Sequence, residues 1–377
     1  MARKIAAHYA LINGELRPHI VVTVDDNRVI RSIDEHTSLD NIAGVEFYPG
    51  ILLPGMVNLH CHIELSYLRG AIEEHSGFAG FARAIGAVRN NYTAEERMHA
   101  ASVADSTMWE EGIEAVLDIA NDDMVMSIKE RSRIQYITLF EVFGLTTPNI
   151  DSHKLLASKW PQSSVTPHST YSLQENIFRA AANENTTTLS VHMLESEDEV
   201  ELYNNRGSLS EWYGRMEWKC DFLHYNTPAE RIAQSVDSNK RTVLVHGCQA
   251  TEEDVTRLNK HFATPVTWAL CPESNRYISN SKPPVELLRN THSQIAIGTD
   301  SLASARHLSM VGNMLLLGDI PLNELLTWAT LNGAKAMGLD SKLGSIEIGK
   351  SPGLVILESA DLHNMRLTEE CRTRRIL

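Results

Sequence analysis

Residues 53–66 read LPGMVNLHCHIELS, an apolar run that opens with Pro54-Gly55 and closes on two histidines, His60 and His62. Side chains alternate along a β-strand, so residues two apart point to the same side. Two imidazoles on one side of a strand end can both reach one cation at about 2.0–2.1 Å. The stretch therefore predicts a buried strand that ends at a metal site.

Seven further apolar runs follow this first one, and amphipathic helical stretches separate them. Such alternation predicts βα units around a parallel sheet. Eight strands is the number found in a (β/α)8 barrel. We therefore expect an α/β protein with a (β/α)8 TIM barrel over residues 53–343. The predicted strands are Leu53–Leu59, Glu114–Ile119, Ile134–Val142, Ser164–Thr166, Thr188–His192, Thr242–His246, Pro265–Ala269 and Gln294–Gly298.

The two ends of the chain have a different pattern. Residues 1–52 contain short alternating stretches separated by turn residues, which is typical of short antiparallel strands. These stretches are His19–Val24, Arg28–Ile33 and Val45–Tyr48. The segment GSIEIGKSPGLVILES at 344–359 returns to the same pattern. We predict that residues 1–52 and 344–377 together form a small β-sandwich domain beside the barrel.

Composition excludes several classes of partner. The 377 residues are 43% hydrophobic, which can fill a large core. The 48 acidic residues outnumber the 34 basic ones and give a net charge of -14, which argues against nucleic acid as a partner. Neither a signal peptide nor an apolar run of about 18 residues is present, so we expect a cytoplasmic protein without membrane contact. Five scattered cysteines indicate reduced thiols.

Residues of the types that bind metals follow several predicted strands. Chemistry in a (β/α)8 barrel lies at the carboxyl ends of the strands, so these residues are candidates for a site. Three histidines and one aspartate could surround one divalent cation, with Zn2+ as the first expectation and Fe2+ as the alternative. Such a cation lowers the pKa of a bound water to about 7, and hydroxide attack follows. The candidates are His60, His62, His192, Glu195, His246 and Asp300.

Six motifs in this order resemble the amidohydrolase superfamily, and within it the single-metal deaminase and chlorohydrolase group. They extend over nearly the whole chain with gaps of barrel size. The motifs are PGMVNLHCH at 54–62, PHSTYS at 167–172, HMLES at 192–196, VHG at 245–247, CPESN at 271–275 and GTDSLAS at 298–304.

The resemblance implies a role for each residue at the strand ends. It implies that His60, His62, His192 and Asp300 hold the metal. Glu195 would move protons between the water and the substrate, and it follows His192 by three residues, where it can lie beside the metal without binding it. His246 would polarise or orient the water and the substrate. Asp300 would also accept the proton of the water.

Four further residues are candidates for substrate binding, and each has an ordinary structural alternative. His168 resembles a substrate-contacting position of nucleoside-type deaminases, or it is a structural loop residue. Arg69 would bind a substrate anion or a ribose hydroxyl, or it forms a surface ion pair. Glu64 is a pocket wall or a loop cap. Asn275 is a pocket wall or a turn residue.

The segment after the histidine pair is similar to the aminodeoxyfutalosine deaminase branch, near the adenosine and S-adenosylhomocysteine deaminases. This resemblance implies a metal-dependent hydrolase that deaminates an aminated heterocycle, such as an adenine-type nucleoside, with release of ammonia.

Several alternatives remain open at this point. Within deamination, the substrate is an adenosine-type nucleoside, guanine or a pterin. Outside it, the alternatives are opening of a cyclic amide, removal of chloride from a triazine-like ring, and a non-catalytic barrel that binds a ligand. The partner in each case is a small molecule. We also expect a homo-oligomer, a dimer, although the residues do not specify it.

Overall fold

The computed structural model describes residues 2–40, 42–146, 148–184 and 188–377. The strands are β1 Arg3–Ile12, β2 Glu15–Pro18, β3 Ile20–Val24, β4 Ile30–Glu35, β5 Val45–Pro54, β6 Met56–Cys61, β7 Ile113–Ala120, β8 Gln135–Val142, β9 Ser163–Pro167, β10 Leu189–Met193, β11 Thr242–His246, β12 Thr267–Leu270, β13 Gln294–Ile297, β14 Leu354–Glu358 and β15 Arg372–Arg375.

The α-helices are α1 Phe78–Val88, α2 Ala94–Glu110, α3 Met126–Arg131, α4 Ile150–Ala157, α5 Glu175–Ala182, α6 Glu197–Tyr203, α7 Gly207–Arg215, α8 Pro228–Ser235, α9 Glu252–His261, α10 Pro272–Ser279, α11 Val285–Asn290, α12 Met310–Leu315, α13 Leu322–Thr327 and α14 Gly333–Met337. Ile63–Leu68 and Asp221–His224 form 3-10 helices, and a π-helical turn at Trp328–Asn332 joins α13 to α14. None of the helices in these described residues combines the length and the apolar character needed to cross a bilayer.

Strands from both ends of the chain pair in one seven-stranded sheet. Its order is β15-β14-β5-β1-β3-β4, and β2 pairs with β1. The antiparallel contact between β5 and β14 places Ile356 opposite Leu52. Ile5, Leu52 and Ile356 belong to one buried apolar cluster, so the two terminal segments share a core. All these strands lie in a single sheet, and the predicted two-sheet sandwich is therefore not confirmed.

The chain leaves this sheet at Pro54-Gly55. The apolar run predicted as one strand, Leu53–Leu59, is divided there: Leu53 pairs with β14 at the end of β5, and β6 begins at Met56. A Cβ atom on Gly55 would contact the side chain of Glu114 and lie 2.8 Å from the backbone oxygen of Pro352. The close approach of two chain segments therefore requires glycine at this turn.

The central part of the chain forms two four-stranded parallel sheets, ordered β6-β7-β8-β9 and β10-β11-β12-β13. These eight strands lie where the sequence predicted eight. Their side chains are mostly buried, as expected for parallel strands that are covered on both faces. One apolar cluster contains Val57 of β6, Leu139 of β8, Val245 of β11 and Ala296 of β13. Both sheets therefore contribute to the same core.

The two parallel sheets contact each other at the carboxyl ends of their outer strands. The backbone oxygen of His60 accepts hydrogen bonds from the backbone amides of Thr299 and Asp300, each at 3.0 Å. On the other side, the amide of His192 donates to the oxygen of His168 at 3.0 Å. Among the described residues these contacts form isolated bridges, and continuous strand pairing does not join the sheets. They nevertheless bring the strand ends of both sheets together.

Candidate metal centre

Five side chains from the strand ends of both sheets meet in one cluster. His60 lies in β6, His62 follows it, His192 lies in β10, His246 ends β11 and Asp300 follows β13. Each is at most 7% exposed. Such burial of polar side chains is costly unless they have partners, so the cluster requires an explanation beyond packing.

The backbone is strained at two of these residues. His246 and Asp300 have φ of 75° and 58°, in the left-handed region that residues with side chains adopt rarely. Such outliers concentrate at functional sites, where the surrounding structure fixes them. Two residues before Asp300, Gly298 permits a close approach, because a Cβ there would lie 2.9 Å from the Cβ of His60.

The distances within the cluster suit one small cation. The Nε2 atoms of His60 and His192 are 3.1 Å apart. Oδ1 of Asp300 lies 3.9 Å from Nε2 of His60 and 3.7 Å from Nε2 of His62. Ligand atoms of His60, His62 and Asp300 form one compact group, and those of His60, His192 and His246 form another. Within each group the ligand atoms lie within 4.8 Å of one another. His60 is therefore common to both groups.

Hydrogen bonds select the nitrogen that two of these histidines offer. Nδ1 of His192 lies 2.7 Å from the backbone oxygen of His168, which can only accept, so Nδ1 carries the proton and Nε2 has the free lone pair. In contrast, the Nδ2 amide of Asn275 donates to Nδ1 of His246 at 2.9 Å, which places the proton of that ring on Nε2. His192 is thereby prepared to bind a metal, and His246 to donate a hydrogen bond.

Burial keeps the histidines neutral, which is the form that binds a metal. Burial, together with the neighbouring imidazoles, lowers the pKa of His60 well below its usual range. It lowers the pKa of His62 to about 4 and that of His246 to about 3, despite the opposing charge of Asp300. The Nδ1 atoms of His60 and His62 have no hydrogen-bond partner among the described residues. The donor set therefore fits a divalent cation with nitrogen and oxygen ligands.

Asp300 remains an anion within this cluster. Burial acts to raise its pKa, but the nearby histidines, His62 first, and a hydrogen bond from Ser274 outweigh burial, so the pKa is lowered. The hydroxyls of Ser274 and Ser304 donate to Oδ2 at 2.5 and 3.0 Å. Oδ1 is thus the oxygen that faces the histidines.

Glu195 presents a second carboxyl group beside the cluster. Its Oε1 lies 3.7 Å from Nε2 of His246, and its Oε2 accepts a hydrogen bond from the hydroxyl of Tyr171 at 3.3 Å. Burial, and then the charges of Asp300 and Glu199, raise its pKa well above the usual range. A carboxyl group with a raised pKa takes up a proton more readily than usual and can transfer it.

The cluster opens into a cavity of about 480 Å3, a size suited to a small molecule. His62, His192, Glu195, His246 and Asp300 line one part of it. Other lining residues are mainly apolar or aromatic, with few polar groups among them. These other residues include Phe78, Phe81, Ile85, Arg89, Asn121, Glu141, Phe143, Leu145, His168, Tyr171, Leu209, Trp212, Tyr213 and Trp218.

The four predicted substrate-binding residues lie in different places. His168 lines the cavity. Glu64 is buried outside the cavity lining and accepts hydrogen bonds from the backbone and side-chain amides of Asn121. Asn275 orients His246, as described above. Arg69 is exposed at the surface outside the cavity lining, because its Nε donates to the backbone oxygen of Arg306 instead.

Several residues at the site were not singled out from the sequence. Glu141 and Asn121 line the cavity, Tyr171 contacts Glu195, and Ser274 contacts Asp300. A signal existed for two of them. Glu141 lies in the last residues of the third predicted strand, and Asn121 follows the second, where barrel chemistry is located. Ser274 and Tyr171 lie within two of the recognised motifs, but no spacing to another residue marks either of them as functional.

The sequence profile of the amidohydrolase family matches residues 51–371, from the end of β5 to the segment before β15. The chain belongs to the amidohydrolase family. All five residues of the cluster, together with Glu195, lie within the matched region.

Comparison with individual proteins finds chains that are similar to this one. An adenosine deaminase of Helicobacter pylori is 26% identical over 334 residues, which cover 82% of this chain and 79% of that protein. The crystal structure of Helicobacter pylori aminofutalosine deaminase with methylthio-coformycin has a TM-score of 0.81 at 22% identity and covers both chains completely. A zinc-bound adenosine deaminase of Xanthomonas campestris has a TM-score of 0.75 at 21% identity, over 95% of this chain and 85% of that one. At these identities the two structures establish a common fold.

Proposed function

We propose that this chain is a metal-dependent hydrolase that deaminates an adenine-type nucleoside, such as an aminodeoxyfutalosine-like substrate. The observation that carries the proposal is the meeting of Glu195, Asp300 and four histidines at one end of a cavity sized for a small molecule. The adenosine deaminase that resembles this chain over most of its length supports the choice of substrate.

In this proposal, His60, His62, His192 and Asp300 hold one divalent cation. Zinc is the expected metal, since imidazole and carboxylate ligands suit it and the similar Xanthomonas campestris protein binds zinc. Iron(II) is the alternative. When bound, the cation acts as a Lewis acid and makes a water molecule a nucleophile near neutral pH.

The proton transfers then belong to three side chains. Asp300, kept ionised by its neighbours, accepts the proton of the attacking water on Oδ1. Glu195 delivers the proton on its carboxyl group to the ring nitrogen as the water oxygen adds to the ring carbon. Glu195 then takes the proton of the added hydroxyl group and passes it to the amine, and the C–N bond breaks with release of ammonia. The proton held by Asp300 returns to Glu195 and restores both side chains. His246 donates a hydrogen bond from Nε2 and orients the oxygen that adds to the ring carbon.

Aromatic side chains form part of the cavity wall. Tyr171, Tyr213 and Trp218 belong to or pack against one apolar cluster beside the site. A heterocycle can pack against such aromatic faces, which supply apolar contact area at little entropic cost.

We further propose that the eight parallel strands form a (β/α)8 barrel over residues 53–343, beside a β domain of residues 1–52 and 344–377. The bridges between Cys61 and Asp300 and between Ser169 and His192 support this arrangement. The cytoplasmic location and the homodimer remain predictions from the sequence.

Ammonia release with a change in purine absorbance tests the proposed reaction. Purified, zinc-loaded protein is incubated with adenine nucleosides, aminopurines, pterins, cyclic amides and a chlorotriazine. We expect ammonia from a nucleoside. A new carboxylate without ammonia would identify opening of a cyclic amide, and chloride release would identify a chlorohydrolase. Binding of a nucleoside with no turnover under any metal would identify a non-catalytic barrel.

A further inference from the structure

Glu141 is a buried carboxyl group on the cavity wall that the proposed proton transfers do not use. It lies near the end of β8 and is 5% exposed. Its Oε1 accepts a hydrogen bond from Nδ2 of Asn121 at 2.9 Å. Its Oε2 is buried and has no hydrogen-bond partner among the described residues. A buried acceptor without a partner is destabilising, so a ligand that supplies a donor is a natural explanation for it.

The surroundings fix the orientation of this side chain. Asn121 donates to Glu64 from its backbone amide and from Nδ2, and the same Nδ2 reaches Glu141. No ion pair to Glu141 is found in the part of the chain that the structure describes. One oxygen of Glu141 is therefore held by the protein, and the other is left without a partner in a residue that lines the cavity.

Glu141 lies directly beside the metal cluster. One carboxylate oxygen of Glu141 and one ring nitrogen each of His168 and His192 lie within 4.8 Å of one another. Nδ1 of His168 is 3.1 Å from the hydroxyl of Ser172, which leaves its Nε2 for another partner. Glu141 and His168, both in the cavity lining, thus form a polar pair next to the reacting centre.

A second cation on this group is a less suitable interpretation. His192 would have to supply a ligand atom, and its Nδ1 already donates to the backbone oxygen of His168. Its remaining nitrogen lies 3.1 Å from Nε2 of His60, within the first metal cluster. One lone pair of an imidazole nitrogen serves one cation, so the two sites would compete for it.

We propose that Glu141, with His168, binds the sugar hydroxyl groups of a nucleoside and makes the enzyme prefer nucleosides to free heterocycles. The inference rests on the proposed deaminase function. A vicinal diol offers two O–H donors, and the carboxylate form of Glu141, which predominates above its pKa of about 8, offers acceptors that match them. A heterocycle without a sugar leaves Oε2 buried and without a partner, and a site built for a hydroxyl discriminates strongly against an analogue that lacks it.

The test compares the wild type and E141Q at about pH 9, above the pKa of Glu141, on adenosine, 2′-deoxyadenosine, 3′-deoxyadenosine and adenine. The substituted amide keeps an oxygen for Asn121 but replaces the second oxygen with an NH2 donor. We expect the wild type to prefer adenosine to at least one deoxy analogue by about 10- to 100-fold in kcat/KM. E141Q should lose most of this preference, through a higher KM for adenosine, with activity on that deoxy analogue within about threefold of the wild type.

Metal content and a control variant distinguish sugar binding by Glu141 from metal binding and from a role in folding. Both proteins should hold the same amount of zinc per chain, and E110Q, at an exposed carboxyl group on α2, should behave as the wild type. Loss of zinc in E141Q would show that Glu141 is a metal ligand and would overturn the proposal. A misfolded variant would lose activity on all four compounds alike, and E141D, which keeps the carboxylate, should then retain a preference for adenosine. An E141D protein without that preference would overturn the proposal.

The two proposals can fail separately. If the wild type releases ammonia equally well from adenosine and both deoxy analogues, the role of Glu141 is refuted and the deaminase function stands. If no compound releases ammonia, the deaminase function fails, and calorimetric binding of adenosine and the deoxy analogues decides the role of Glu141. Weaker binding of adenosine alone to E141Q would support the role, and equal binding to both proteins would overturn it.

Discussion

The backbone oxygen of His168 lies 2.7 Å from Nδ1 of His192 and so determines which nitrogen of that ring faces the metal cluster. These residues come from neighbouring strand ends of two different parallel sheets. The contact between the sheets therefore also sets the tautomer of a metal ligand. Partners of this kind fix ring orientation and raise the affinity of a site for its metal.

His192→Ala should remove the metal from the protein. The substitution deletes the one ring whose free Nε2 lies 3.1 Å from Nε2 of His60. Loss of an outer partner of a ligand already weakens metal binding by about 10- to 100-fold, so loss of the ligand should weaken it by more than about 100-fold. Zinc per chain, measured by mass spectrometry after dialysis, checks this. H224A, at an exposed histidine, should keep its zinc, and a metal-replete H192A would contradict the assignment.

Glu195→Gln should leave the metal in place and reduce kcat by about 10²- to 10⁴-fold, the range for loss of a general acid or base. The amide that replaces the carboxyl group keeps the shape of the side chain but cannot take up and release a proton as the carboxyl group can. Ammonia release under saturating substrate measures the effect. The matched control is E197Q, two residues further along in the same acidic segment but exposed, and it should retain full activity. Turnover by E195Q at the wild-type rate would remove Glu195 from the mechanism.

The sequence was informative where chemistry imposes a spacing. His60 and His62 are two residues apart at a strand end, and Glu195 follows His192 by three, so each pair can be recognised without coordinates. The structure brings these residues into one cluster with His246 and Asp300. Apolar runs and their alternation with helical stretches likewise indicated the positions of the eight parallel strands.

The sequence was not informative where a contact joins distant single residues. Glu141 meets Asn121 at a separation of 20 positions, and Asn121 meets Glu64 at 57, and no motif connects them. The change of sheet at Gly55 was hidden as well, because residues on both sides of it are buried and apolar. Arg3–Ile12 was not among the predicted strands, since its pairing with β5 depends on partners about 40 residues away.

Glu199 should make the protein less stable as the pH rises. Burial raises the pKa of this carboxyl group to about 7 in the folded protein, although hydrogen bonds from Thr170 and Leu194 oppose the shift. A group with a raised folded pKa contributes its full stability below the unfolded pKa, about 4.3, and loses it as the pH rises through about 7. The wild type should therefore lose stability between about pH 4.5 and pH 7.5.

E199Q removes this titration and should reduce the slope, even if its absolute stability is lower because one hydrogen bond is lost. Urea denaturation midpoints of both proteins, measured at constant saturating zinc at about pH 5.5 and about pH 8, test the prediction. Glu64 and Glu141 titrate in both proteins and do not enter the difference. An equal change of midpoint in the two proteins would show that Glu199 does not have a raised pKa.

Arg89 rather than Arg69 should interact with an anionic group on a substrate. Arg89 follows α1 and lines the cavity, and no ion pair of its guanidinium is found among the described residues. Arg69 is exposed and donates to the backbone oxygen of Arg306. R89M should raise KM by about 10-fold or more for a nucleoside with a carboxylate on its 5′ substituent, the range for a charged hydrogen bond, and leave KM for adenosine nearly unchanged. R69M should change neither value. Steady-state kinetics of both variants on the two substrates test this prediction. If R69M alone raises KM for the carboxylate-bearing nucleoside, Arg69 and not Arg89 binds the anionic group.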